Sequence, residues 1–143
     1  MRVPPPQAAM RRQIVATCGG RPVLALDTIA HVAAADAGSI VITGSHGGLS
    51  SGEYAARAKL AAVFFNDAGI GKDRAGVASL PWLDGQGVLA GAIGHDGAMI
   101  GDAVDGWING TVTVLNETAE RAGFAIGEPL RAAVERVFGR VST

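Results

Sequence analysis

The sequence has one cysteine, few aromatic residues and no long apolar run, and each shortage excludes a class of protein. A single cysteine, Cys18, excludes an internal disulfide and a cysteine-rich zinc site. Because only 5% of the residues are aromatic, the core must consist mainly of Ala, Val, Leu and Ile. No apolar run approaches the roughly 20 residues of a membrane-spanning helix, and the N-terminus lacks the apolar stretch of a signal peptide. We therefore expect a cytoplasmic protein that does not bind membranes.

Charged residues are also scarce, and their signs nearly balance. They make up 17% of the chain and leave a net charge of −1, so nothing indicates binding to nucleic acid or to an anionic membrane surface. Low charge and a high content of small residues fit a protomer that buries surface against its own copies, so we expect a homo-oligomer. The prolines of M-R-V-P-P-P-Q predict an extended arm over residues 1–12, followed by a single α/β domain over residues 13–143.

Short apolar runs alternate with helical patterns along the chain. The alanine-rich stretch at 29–37 predicts a helix, and Asp73 is a candidate N-cap for another that Pro81 would end. This alternation predicts an α/β fold, a three-layer Rossmann-like domain with a mainly parallel sheet of four or five strands and helices on both faces. Four runs of strand length lie at residues 39–43, 60–65, 87–93 and 111–115.

Polar side chains directly follow these predicted strands. In open parallel sheets, ligands bind beyond the carboxyl ends of the strands, so we expect the polar groups to meet at one edge. Histidines and carboxylates there suit acid–base chemistry, which makes His46, Asp67, His95 and Asp96 the catalytic candidates. Neighbouring glycines and helix starts would direct backbone N–H groups toward a carboxylate or phosphate. The expected ligand-binding residues are Ser45, Gly47, Gly48, Ser50, Asn66, Gly71, Lys72 and Asn116.

Two mechanisms use the histidines directly. In the first, His46 and His95 are general acid and base, oriented by a neighbouring aspartate. A small anionic substrate would then be held by Lys72 and by helix N-termini. In the second, a divalent metal bound by His46, Asp67 and His95 activates water. Two histidines and a carboxylate suffice for such a site, but their spacing is not diagnostic of one.

Motif comparisons exclude several common enzymes and cofactors. Gly71-Lys72 does not end a Walker A loop, because Asp73 stands where a Ser or Thr would bind magnesium. Arg74 occupies the place of the third glycine of a dinucleotide fingerprint, so no nucleotide cofactor is indicated. A third mechanism uses Ser45 or Ser50 as a nucleophile with a histidine base, although the chain has no G-x-S-x-G elbow.

One stretch resembles a known layout. A strand ending in Ser45-His46-Gly47, followed by a helix and a second strand, is similar to the caspase-like arrangement, in which the histidine works with a cysteine after the next strand. Here Asn66-Asp67 stands in that place, so we do not expect peptidase activity. We expect a small-molecule hydrolase or lyase, using His/Asp acid–base or metal-assisted chemistry on a small anionic substrate. The alternative is a non-catalytic anion-binding or accessory subunit of a larger enzyme.

Overall fold

The computed structural model describes residues 11–143, and the proline-rich part of the predicted arm, residues 1–10, lies outside the described residues. Arg12 belongs to the first strand rather than to the arm. Seven strands are formed: β1 (Arg12–Cys18), β2 (Arg21–Leu26), β3 (Ile40–His46), β4 (Ala62–Asn66), β5 (Ala90–Ile93), β6 (Val112–Leu115) and β7 (Val141–Ser142). Five α-helices follow the same order: α1 (Leu49–Arg57), α2 (Ser79–Gly85), α3 (Ala103–Asn109), α4 (Glu117–Ala122) and α5 (Leu130–Phe138).

The strands form one mixed sheet in the order β6-β5-β4-β3-β2-β1-β7. Strands β2 to β5 are parallel, whereas β1, β6 and β7 run antiparallel to their neighbours. The α/β class is therefore as predicted, but the sheet has seven strands rather than four or five. Three of its six pairings are antiparallel, so it is not the mainly parallel, Rossmann-like sheet that the sequence predicted.

A two-residue turn at Gly19-Gly20 accounts for one of the antiparallel pairings. Both glycines have positive φ, 57° and 81°. Such turns match the twist of paired strands and close a β-hairpin, here between β1 and β2. The chain therefore enters the sheet as a hairpin and not through a βαβ crossover.

Apolar side chains of the central strands point alternately into two buried clusters. Ile40 and Ile42 belong to the first cluster, which includes residues of α3 and α5 such as Trp107 and Leu130. Val41 belongs to the second, which includes residues of α1 and α2. Strands buried on both faces explain the continuous apolar runs in the sequence. Within residues 11–143, no helix has the length and apolarity needed to cross a membrane.

Candidate functional site

The ends of β3, β4 and β5 bring several predicted site residues to one edge of the sheet. His46 pairs with Asn66, and Asn66 pairs with Ile93 in the next strand. The backbone N–H of Asp67 then donates to the Ile93 carbonyl at 2.8 Å. Because these strands are parallel neighbours, the residues that follow them emerge side by side, and His95 comes close to Asp67.

Asp67 and His95 form a hydrogen-bonded pair. The Nδ1 atom of His95 lies 3.1 Å from Oδ1 of the buried Asp67 carboxylate. The same oxygen accepts from the backbone N–H groups of Gly69, at 2.8 Å, and of His95, at 3.1 Å. The other oxygen, Oδ2, accepts from the Thr113 hydroxyl at 2.8 Å. Contacts to both oxygens hold the carboxylate in one orientation.

These hydrogen bonds also determine the charge of Asp67. Burial raises the pKa of the carboxyl, but donation from Gly69, Thr113 and His95 outweighs it and holds the pKa below the usual value. Asp67 is therefore a carboxylate near neutral pH and accepts the hydrogen on Nδ1 of His95. The hydrogen bond made by one ring nitrogen sets the state of the other, so Nε2 of the neutral ring carries the free lone pair.

His95 lines an open cleft of about 530 Å³, and its Nε2 lies next to Asp96, which lines the same cleft. Asp96 Oδ1 lies 3.1 Å from Nε2, a contact that becomes a hydrogen bond only when Nε2 carries a proton. The Asp96 side chain is 93% exposed and can leave this position. The cleft is lined by His95, Asp96, Gly97, Ala98, Met99, Ile100 and Asp105.

His46 has the opposite arrangement of ring nitrogens. Its Nδ1 accepts from the backbone N–H of Gly48 at 3.0 Å, so Nε2 of the neutral ring carries the hydrogen. A Cβ at position 48 would lie 2.7 Å from Cε1 of His46, so a larger residue there would displace the His46 ring. His46 lines a separate cleft of about 210 Å³, formed with residues of the β4–α2 loop: Ala68, Ile70, Gly71, Ala75 and Gly76.

The loop between β4 and α2 separates the two histidines and has an unusual backbone. Positive φ occurs at Ala68 (50°), Ile70 (67°), Asp73 (55°) and Arg74 (58°). Such conformations cost about 1–3 kcal/mol each in non-glycine residues and concentrate at functional sites. For the β-branched Ile70, positive φ is a genuine outlier.

Close backbone contacts hold this loop in place. The N–H of Gly76 donates to the Ile70 carbonyl, and Gly47 donates to the Gly76 carbonyl, both at 2.7 Å. A Cβ at position 76 would lie 2.4 Å from the Asp67 carbonyl oxygen, so the loop can fold against Asp67 only with glycine there. Gly69 lies against the His95 ring, since a Cβ at position 69 would be 3.5 Å from Cε1 of that ring.

No family model, curated protein or solved structure matches this chain. The chemistry of the site is therefore inferred from its geometry.

The metal hypothesis does not match the arrangement of the side chains. Within the described part of the chain, no three His, Cys, Asp or Glu side chains are grouped closely enough to hold a metal ion. The triad of His46, Asp67 and His95 is thus not assembled. Asp67 is directed to His95, while Nδ1 of His46 is occupied by the N–H of Gly48.

The other predicted residues at this edge mainly support the backbone. Ser45 Oγ accepts from the Ile29 N–H at 3.0 Å. The buried Asn66 amide donates to the Ala98 carbonyl at 3.0 Å and accepts from the Ala68 N–H at 2.9 Å. Asn66 therefore connects the β4 and β5 loops and shapes the site.

Ser50 and Lys72 are both exposed, and neither lines the His46 cleft. Ser50 lies in the first turn of α1, whose N-cap is Gly48. Lys72 directly follows Gly71 and begins the segment Lys72–Val77, whose 3₁₀ turns are interrupted by non-helical backbone at Asp73 and Arg74. Neither Ser45 nor Ser50 makes a hydrogen bond to a histidine within residues 11–143, so the serine-nucleophile mechanism has no preformed pair.

Asn116 lies at the opposite edge of the sheet. Because β6 runs antiparallel to β5, its last residue is next to the start of β5, and Asn116 exchanges hydrogen bonds with Ala90. Its amide also donates to the Leu80 and Val88 carbonyls. The expectation that Asn116 meets the histidines therefore does not hold, since it assumed that every strand is parallel.

Thr113 is a site residue that the sequence did not reveal. It lies near the start of β6. Because β6 runs antiparallel to β5, this end of the strand is next to Asp67, whereas Asn116 lies at the other end. A threonine in a strand is ordinary, so no local signal marked it.

Proposed function

We propose that the protein is a general acid–base enzyme of the hydrolase or lyase type, with His95 as its base. The observation that carries the proposal is the Asp67–His95 pair, in which a buried, ionised and fully hydrogen-bonded aspartate positions an imidazole that lines a cleft. An arrangement of this kind positions the ring and stabilises the imidazolium that forms when Nε2 takes a proton from water or substrate.

His46 supplies the complementary group. Its Nε2–H is a donor, whereas Nε2 of the neutral His95 is an acceptor. The two rings border the same loop, with Gly69 against His95 and Ile70 and Gly71 beside His46. A substrate lying across this loop would meet a proton acceptor on one side and a hydrogen-bond donor on the other.

The proposal is tested with a panel of ester, amide and carbon-acid substrates that includes cationic, neutral and anionic members. We expect the His95→Gln variant to lose about 10²–10⁴-fold of the turnover of the wild type, because glutamine cannot exchange a proton. His31→Gln is the matched control: His31 is exposed in a 3₁₀ turn and lines neither the His95 cleft nor the His46 cleft, so its replacement should leave turnover unchanged.

Equal turnover in the His95→Gln variant and the wild type would contradict the role of His95. A loss of the same size in His31→Gln would show that the effect is not specific to the site. The tautomers of the two histidine rings provide an independent test. Nitrogen NMR of the wild type should find the hydrogen of the neutral His95 ring on Nδ1, and the hydrogen of the neutral His46 ring on Nε2.

A second candidate function is anion binding at the His46 cleft, without catalysis. His46 carries an Nε2–H donor and lies just before α1, whose N-cap is Gly48 and whose free N–H groups favour an anion. This candidate retains the small anionic ligand and the accessory-subunit role expected from the sequence, with Lys72 next in the chain to Gly71 of the cleft lining. It does not require His95.

Inorganic phosphate is the probe for this second candidate. We expect phosphate to shift the amide signals of Leu49 and Ser50, and His46→Ala to weaken its binding by about tenfold, as for the loss of one hydrogen bond to a charged group. His31→Ala should bind phosphate like the wild type. Unchanged phosphate affinity in His46→Ala would exclude the histidine from anion binding.

Self-association and a cytoplasmic location accompany the proposal. Large apolar side chains are exposed at Ile14, Leu49 and Ile126, which supports burial of surface between copies of the chain. The near-neutral charge of the sequence agrees with such contacts.

A further inference from the structure

The cleft at His95 has a distinct chemical character. Its charged lining residues other than the histidine are both aspartates, Asp96 and Asp105, and the buried Asp67 carboxylate lies directly behind the ring. No lysine or arginine lines this cleft among the described residues. The electrostatic potential in the cleft is therefore negative, which repels an anion and attracts a cation.

Asp105 is held in place as a carboxylate at the wall of the cleft. Its Oδ2 accepts from the backbone N–H of Met99 and its Oδ1 from the Asn109 amide, both at 2.7 Å. These bonds outweigh the small effect of burial and lower the pKa of Asp105. Asp96 is free to move, since its side chain is 93% exposed and touches only the His95 ring in a contact that depends on protonation.

Two apolar side chains complete the cleft. Met99 is 68% exposed and Ile100 is 54% exposed, although both are large. The segment that carries them is ordered by hydrogen bonds, because Met99 donates to Asp105 and its carbonyl accepts from the Asp102 N–H at 3.1 Å. Apolar side chains on an ordered backbone segment, next to a base and two carboxylates, provide a binding surface for an apolar portion of a ligand.

We infer that the substrate of the His95 site carries a cationic group, such as an ammonium, next to an apolar group. The carboxylates of Asp96 and Asp105 receive the cation, and Met99 and Ile100 contact the apolar portion. On approach of the cation, Asp96 rotates away from His95 and leaves Nε2 free to act on the substrate. This inference rests on the proposed acid–base function, for which it specifies the substrate class.

Three probes of the same length test it: n-butylammonium, n-butanol and butyrate. Each is titrated into the full-length protein near pH 7.5, and the signals of the His95 ring and the Met99 methyl group are followed by NMR. We expect butylammonium to bind about fivefold more tightly than butanol, because an ion pair at a partly exposed site contributes about that much to affinity. Butyrate should bind more weakly than both.

Asp96→Asn is the diagnostic variant, because an exposed side chain can be replaced without loss of the fold. It should reduce the preference for butylammonium over butanol to about twofold or less, since one of the two carboxylates is lost. Asp73→Asn is the matched control, an exposed aspartate outside the lining of this cleft in a backbone conformation that asparagine tolerates. It should retain the full preference.

Butyrate binding as tightly as butylammonium, or no response of His95 and Met99 to butylammonium at saturating concentrations, would overturn the inference. So would an unchanged preference in Asp96→Asn. The His95→Gln variant distinguishes a failure of the cation-binding inference from a failure of the acid–base function. It keeps both carboxylates, so it should still prefer butylammonium. If the amine preference is present while His95→Gln retains turnover, the cleft binds cations and the acid–base function fails.

Discussion

Replacing Asp67 by asparagine is expected to lower turnover at the His95 site by about 10²–10⁴-fold, the range for a positioned acid–base group. Asparagine has the same shape, and its Oδ1 can still accept from Gly69 and His95. It has no charge, so the imidazolium of His95 loses the carboxylate that stabilises it. The measurement is kcat/KM on the best substrate of the panel, for the variant and the wild type.

Thr113→Val is the matched control for this prediction. It removes the hydrogen bond to Oδ2 of Asp67 but leaves the charge and the contact with His95. We expect a reduction in kcat/KM of about tenfold, the equivalent of one ordinary hydrogen bond. An Asp67→Asn variant with wild-type turnover would show that the carboxylate does not act through His95.

The Asp67→Asn substitution is also expected to change the free energy of unfolding in a pH-dependent way. The pKa of Asp67 is lower in the folded protein than the value of about 3.9 in an unfolded chain. Its charge therefore stabilises the fold above that value, and this contribution is lost as the pH falls through the folded pKa. We expect Asp67→Asn to lower the free energy of unfolding by about 1–3 kcal/mol at pH 7 and by less below about pH 4. Urea denaturation of the variant and the wild type across this pH range measures the two losses. A difference in unfolding free energy that does not vary with pH would show that the charge of Asp67 does not stabilise the fold.

Gly44→Ala, a small substitution near the site, is expected to be strongly destabilising. A Cβ at position 44 would lie 2.5 Å from the carbonyl carbon of Gly101, 2.6 Å from its Cα and 2.7 Å from the N of Asp102. All three are backbone atoms, and the Gly101 N–H donates to the Gly44 carbonyl at 2.9 Å. A methyl group there must move the segment that leads into α3. We expect a loss of about 3 kcal/mol, at the upper end for an overpacked core, measured by urea denaturation.

Gly85→Ala is the control for Gly44→Ala. Gly85 is exposed at the last residue of α2, and no atom lies within 4 Å of its Cβ position. Alanine should raise the free energy of unfolding by about 0.5–1 kcal/mol, because glycine is the less favourable residue in a helix. A Gly44→Ala protein as stable as the wild type would show that β3 and the segment before α3 are not held in contact.

Two helices predicted from the sequence illustrate why local pattern was insufficient. Residues 29–37 form two 3₁₀ turns, Ile29–His31 and Ala34–Asp36, in which the side chains of Thr28 and Asp36 accept from backbone N–H groups. Arg12, far away in sequence, makes two hydrogen bonds to the buried Asp36. Side-chain bonds of this kind compete with helix formation, and the partner on β1 cannot be read from the local sequence.

The helix predicted to start at Asp73 begins later. Asp73 and Arg74 have positive φ, so the chain cannot be helical there, and α2 starts at Ser79. Pro81 then lies in the first turn, where its missing N–H costs no helical hydrogen bond. The loop conformation is stabilised by backbone hydrogen bonds to Gly47 and Asp67, which directly follow the neighbouring strands β3 and β4.

The sequence by itself determined the α/β class and the positions of Asp67 and His95 just after consecutive apolar strands, because burial and turn chemistry are local properties of the chain. Only the tertiary structure decided the directions of β1, β6 and β7, and with them which residues reach the site. The reversal of β6 takes Asn116 to the far edge and brings Thr113 to Asp67. Strand direction depends on packing between distant segments, which no single segment encodes.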